Sequence, residues 1–132
     1  MSSLFGIAAG GTSAFYDFEI NNSLRFEDGS NTYLSRTPSS TGNRKTWTFS
    51  AWIKRATLGT QQHLMFAGTA STNRGMIYLE TDDTLRYYVR ESGVNLGGGT
   101  GSSRVSITDA KLRDVSAWYH IVVAIDTTQS TN

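Results

Sequence analysis

The clearest order in this chain is an alternation of apolar and polar side chains. Across residues 46–54, Trp47, Phe49, Ala51 and Ile53 fall on one side, and Thr48, Ser50, Trp52 and Lys54 on the other. Successive strand side chains point to opposite faces, so this spacing predicts a β-strand with one face in a core. The run WYHIVVAID at 118–126 is the most hydrophobic in the chain. It is apolar on both faces, which predicts a central strand covered on each side. Shorter strands are predicted at 23–27, 32–35, 63–67, 76–80 and 85–90. Turn residues separate them. Residues 28–31 (DGSN) close a first turn, residues 38–43 (PSSTGN) form a loop, and residues 81–84 (TDDT) join two strands as a hairpin. Residues 93–103 contain five Gly and read as a loop or wide hairpin tip. No helical period is sustained, and residues 109–115 have room for one turn at most.

Short strands at even spacing predict an all-β antiparallel sandwich or jelly roll over residues 23–132, incomplete in this chain. Residues 1–22 are set apart as an extended N-terminal arm. Phe15, Tyr16, Phe18 and Ile20 give the arm an aromatic-apolar end that a free polar tail normally lacks. That end either docks onto a larger assembly or packs back on its own domain.

Composition narrows the function classes. The 132 residues include 16 Ser, 17 Thr and 13 Gly but one Pro, a bias towards strands and polar turns. The formal charge of +1 argues against nucleic-acid binding, which needs clustered Lys and Arg. The absence of Cys excludes disulfides and thiol chemistry. No apolar run approaches the ~18 residues of a spanning helix, and the opening MSSLFGIAAGG lacks the basic start of a signal peptide.

Three stretches taken in order carry a family resemblance. SLRF at 23–26 with Tyr33-Leu34, TWTFSAWIKR at 46–55 and AWYHIVVAIDTT at 117–128 resemble the laminin-G-like, concanavalin A-like jelly roll. The wording is especially similar to copies in structural proteins of tailed bacteriophages. The resemblance implies two curved antiparallel sheets, glycan or protein binding, and sometimes calcium. It also implies a virion setting, on a tail fibre or on the capsid exterior. Family members continue past the second motif with a strand resembling L-Y-V-N-G. On this reading the chain is the first part of such a domain, and a longer protein or a second chain supplies the rest.

Candidate chemistry is sparse. Glucanases of this fold resemble E-x-D-x-E, three acids on one strand face. The nearest match is Glu80-Thr81-Asp82-Asp83-Thr84, where Thr84 replaces the third acid and Asp82-Asp83 suit a turn. His63 and His120 lie inside strands, and no G-x-S-x-G occurs. The expectation is therefore no enzyme and no catalytic residue. No metal cluster is evident, and Asp28, Asp82 and Asp83 are the weak calcium candidates. A glycan platform needs an exposed aromatic ring beside planar polar groups. Trp52 on the polar face of its strand, with Tyr87, Tyr88 and Arg90 from the hairpin, are the candidates. Burial of Trp52 beneath a loop, the arm or a second subunit is the alternative. The basic pairs Arg44-Lys45 and Lys54-Arg55 are expected to keep a strand edge soluble.

The combined expectation is a non-enzymatic virion structural protein. Its arm would attach to other virion proteins, and its jelly roll would face a host surface glycan, as a homo-oligomer such as a trimer. Capsid decoration, a glucanase-like hydrolase and a stand-alone lectin are the alternatives.

Overall fold

The computed structural model describes residues 21–27, 29, 32–70, 73–91 and 103–129, with backbone alone at 69–70 and 103–104. The arm residues Phe15, Tyr16, Phe18 and Ile20, the calcium candidate Asp28 and most of the Gly-rich stretch lie outside them. The contacts divide the chain into Met1–Gly42 and Asn43–Asn132.

The second unit is all-β. Its strands are β1 Thr46–Lys54, β2 Gln62–Ala70, β3 Asn73–Leu79, β4 Thr84–Arg90, β5 Ser103–Lys111 and β6 Trp118–Asp126. They form two antiparallel sheets, one of order β1-β6 and one of order β2-β3-β4-β5. β1 and β6 pair along their full length, from Thr46 opposite Asp126 to Lys54 opposite Trp118. The period-two pattern of β1 is realised. Trp47, Phe49, Ala51 and Ile53 are partly buried, and Thr48, Ser50, Trp52 and Lys54 are exposed. Their counterparts Tyr119, Ile121, Val123 and Ile125 on β6 share the inward face.

That face meets the four-stranded sheet where Trp47 packs edge-on to Tyr87, centroids 5.8 Å apart. Burial pushes the Tyr87 phenol above its ordinary pKa. On the inner side of the four-stranded sheet, Ile77 and Leu79 of β3 are fully buried. The core is thus centred on β3, flanked by β2 and β4, rather than on β6.

Four expectations are corrected. Residues 23–27 and 32–35 are not strands, and Leu24, Phe26, Tyr33 and Leu34 are all more than half exposed. Alternation alone does not make a strand, because its backbone donors and acceptors need a neighbouring strand. β6 is not covered on both sides: Trp118, His120, Val122 and Ala124 are exposed, and among the described residues its only strand partner is β1. β5 takes in residue 103, where the sequence predicts a loop end, and residues 109–111, where it leaves room for a helical turn. Its pairing with β4 outweighs the polar composition of SRVSITDAK. Arg55 does not solubilise an edge, since it is only 3% exposed.

Arg55 instead joins the two sheets. It leaves the end of β1, and its Nη1 donates to Asp83 Oδ1 at 2.8 Å and to the Leu112 carbonyl at 2.7 Å. Its Nη2 donates to the Thr57 carbonyl and its Nε to Gln62 Oε1. Asp83 also accepts from the Gly59 amide and from Arg113 Nε. It stands at φ 68° in the β3–β4 turn, a left-handed conformation that Asp tolerates better than most residues. The Gly59 amide, then Arg55 and Arg113, hold its carboxyl below the ordinary value.

Candidate functional site

The outward face of the β1-β6 sheet carries the aromatic surface. Ser50, Trp52 and Lys54 stand directly opposite Val122, His120 and Trp118. Residues opposite each other in an antiparallel pair share a face, so these six form one surface. Trp52 and His120 stack nearly parallel, centroids 4.8 Å apart and planes 13° from each other. Ser50 Oγ lies 3.0 Å from His120 Nε2, which fixes the edge of the imidazole. Trp118 sits diagonally from Trp52, within reach of an aromatic side chain. Trp52 is 54% exposed, Trp118 51% and Val122 55%. The alternative that Trp52 is covered is not seen among the described residues.

The four glycan candidates do not form one platform. Trp52 points out from β1, whereas Tyr87 meets Trp47 on the inner side of the same sheet. Tyr88, one residue on, points to the far side of the four-stranded sheet, where Arg74 lies 5.5 Å from its ring centroid. Arg90 shares that side with Tyr88. The residues that accompany Trp52 are His120 and Trp118, which are not among the candidates the sequence offers. The signal was available: both alternate with the inward residues of β6, but a strand thought to be covered on each side has no face to offer.

The acids of the E-x-D-x-E comparison serve the hairpin. Asp82 Oδ1 accepts from the Thr84 amide and hydroxyl, at 3.1 and 2.6 Å, and its Oδ2 pairs with Arg86 at 2.9 Å. Glu80 accepts from the Thr81 amide and Gln61, and also pairs with Arg86. The carboxylate oxygens of Asp82 and Asp83 already have donors, and cationic Arg55, Arg86 and Arg113 stand against them. These residues do not fit a calcium ion, which needs free oxygen ligands and no adjacent cation. Among the described residues no group of three or more His, Asp or Glu is placed to hold a metal. His63 stacks on Tyr78 and lies 3.2 Å from Gln61 Oε1.

The hairpin acids set an acid limit on stability. The Thr84 hydroxyl and amide, with Arg86, bring the Asp82 carboxyl down to about 2. An unfolded Asp titrates near ~3.9. A depressed folded value gives stability that is present above the unfolded pKa and lost as pH falls through the folded one. Urea midpoints are therefore expected to fall between about pH 4 and pH 2, and Asp82→Asn to flatten that fall. An unchanged slope in the variant would show that Asp82 gains nothing from its partners.

Against this geometry, a laminin G family model described as the concanavalin A-like lectin/glucanases superfamily matches residues 28–132. The chain belongs to the concanavalin A-like lectin/glucanase superfamily. The two-sheet antiparallel architecture agrees with that membership. Neither the curated proteins nor the solved structures contain a match to the chain. For a lectin/glucanase-superfamily domain, carbohydrate is the ligand class that membership suggests.

Proposed function

We propose that this domain is a non-enzymatic carbohydrate-binding module whose contact surface is the outward face of the β1-β6 sheet. The observation that carries the reading is the exposed, parallel Trp52–His120 stack with Trp118 diagonal to it. A sugar has an apolar face of C–H groups that packs on an aromatic ring, and hydroxyls at its rim that need polar partners. Ser50, His120 and Lys54 supply those partners on the same face. The hairpin acids are engaged in structural pairs, which supports binding without hydrolysis.

The setting we propose is a virion appendage, with capsid decoration as the second choice. The similarity of the strand motifs to phage structural proteins supports it, and the module would there face host surface polysaccharide as one copy of a homo-oligomer. Detection of the protein in purified particles by mass spectrometry checks the setting.

The binding test is a fluorescence titration with oligosaccharides from a bacterial surface polysaccharide. Trp52→Ala is expected to weaken binding about tenfold, the scale of one lost aromatic contact. Thr48→Ala, further along the same face, should leave it unchanged. Equal affinity of the wild type and Trp52→Ala would remove this face from the site.

A further inference from the structure

The face of the four-stranded sheet that carries Met76, Tyr78 and Tyr88, turned away from the Trp47–Tyr87 contact, holds a pair of cations with no counter-charge among the described residues. Arg74 of β3 stands directly opposite Arg90 of β4, so both side chains emerge on the same face. Opposed residues have Cβ atoms roughly 4.5–5.5 Å apart, and like charges there are destabilising. Both arginines are partly buried, which weakens the screening that water would give. The ion pairs among the described residues use Arg25, Arg55, Arg86 and Arg113, and neither Arg74 nor Arg90 has a carboxylate.

Two further observations point the same way. Arg74 Nε is buried and has no hydrogen-bond partner among the described residues. An unpaired buried donor is costly, and an arginine Nε–H that lacks an acceptor is half of a bidentate fork. Arg74 also lies over the Tyr88 ring, which holds the guanidinium against the sheet. On its other side Arg74 faces Gly68, which offers no side chain to bind it. A Cβ at Gly68 would come within 2.5 Å of the Asn73 carbonyl oxygen, so the two strands approach closely only because this residue is glycine.

We infer that Arg74 and Arg90, with Tyr88 as a backing, form a receptor for an oxyanion, a carboxylate or sulfate group. A bound oxyanion accepts from the Arg74 Nε–H, lies between two positive charges and removes their repulsion. The site is separate from the Trp52 face and does not depend on it. Its occupant is either a free anion or an acidic group carried on a sugar.

The test compares thermal midpoints in sodium sulfate, galacturonate oligomers and sodium chloride at matched ionic strength. The wild type is expected to gain several degrees in sulfate over chloride. Arg74→Gln and Arg90→Gln should each lose most of that gain, yet stand at or above the wild type in chloride, because the repulsion is relieved. Arg25→Gln, on the N-terminal unit, should keep the full gain, and so should Trp52→Ala. A gain with galacturonate oligomers well above that with sulfate assigns the anion to a sugar, and a gain with sulfate alone assigns it to a free anion. The inference is overturned if both arginine variants respond to sulfate as the wild type does, or if a neutral maltotriose gives the same gain as the acidic oligomer. Far-UV circular dichroism shows whether either variant has lost its sheets, and the second variant then carries the comparison.

Discussion

Replacing Arg55 with Met is expected to lower the thermal midpoint by on the order of 10 °C or more, the largest loss from any polar substitution in the domain. Methionine keeps much of the aliphatic stem and removes the fork. The fork bridges the end of β1 to Thr57, Gln62, Asp83 and Leu112. Its loss would leave Asp83, itself 6% exposed, with its Gly59 and Arg113 contacts but without its closest cation. The carbonyls of Thr57 and Leu112 would lose a donor as well. Removing one partner of an enclosed ion pair costs more than the pair contributes, because the remaining charge stays enclosed. Replacing both partners tests that account: Arg55→Met with Asp83→Asn should recover part of the lost midpoint. A double variant no better than Arg55→Met would mean that the hydrogen bonds to Thr57 and Leu112, rather than the stranded carboxylate, carry the effect.

This bridge also shows what could be read from the chain and what could not. The period of two over residues 46–54 survives intact, because a strand with one face inward is a local pattern that burial then enforces. The β3–β4 hairpin was equally legible, since Thr81-Asp82-Asp83-Thr84 carries its own turn chemistry. In the sequence Arg55 looks like a surface charge, because nothing in its neighbourhood announces a partner 28 residues away. Charged residues are rarely enclosed unless paired, and that pairing is long-range information.

The same limit explains the other differences. Residues 23–27 alternate as well as a strand does, yet no described strand lies beside them, and Leu24 and Phe26 remain exposed. β5 has weak alternation and follows a Gly-rich run in the sequence, so its strand character comes from its register with β4. For the candidate site, Trp52 was legible from its face. Its companions depended on knowing that β6, not the hairpin, is the neighbour of β1. The acids at 82 and 83 were legible as turn residues for the same reason that Trp52 was: the evidence for them is local.

The centre of the core supplies the second large effect. Ile77→Ala is expected to cost about 3–4 kcal/mol in urea unfolding, within the range for a fully enclosed aliphatic side chain cut to alanine. Ile77 has no exposed surface, and its strand lies between β2 and β4, with Met65 and Tyr87 as its cross-strand neighbours. No backbone there can easily collapse into the space, because β3 is paired with β2 on one side and with β4 on the other. Phe49 is the instructive comparison. From the alternation of β1 alone it is the natural centre of the core, yet it is only partly buried. The β1-β6 layer is two strands wide and covers less of it. Phe49→Ala should therefore fall short of the ~3–5 kcal/mol typical of a fully enclosed phenylalanine, although it deletes more atoms than Ile77→Ala. The order of the two losses is the decisive measurement. If Phe49→Ala is the more damaging, the two-stranded layer is packed more tightly than its exposure indicates, and the core is centred on β1 rather than on β3.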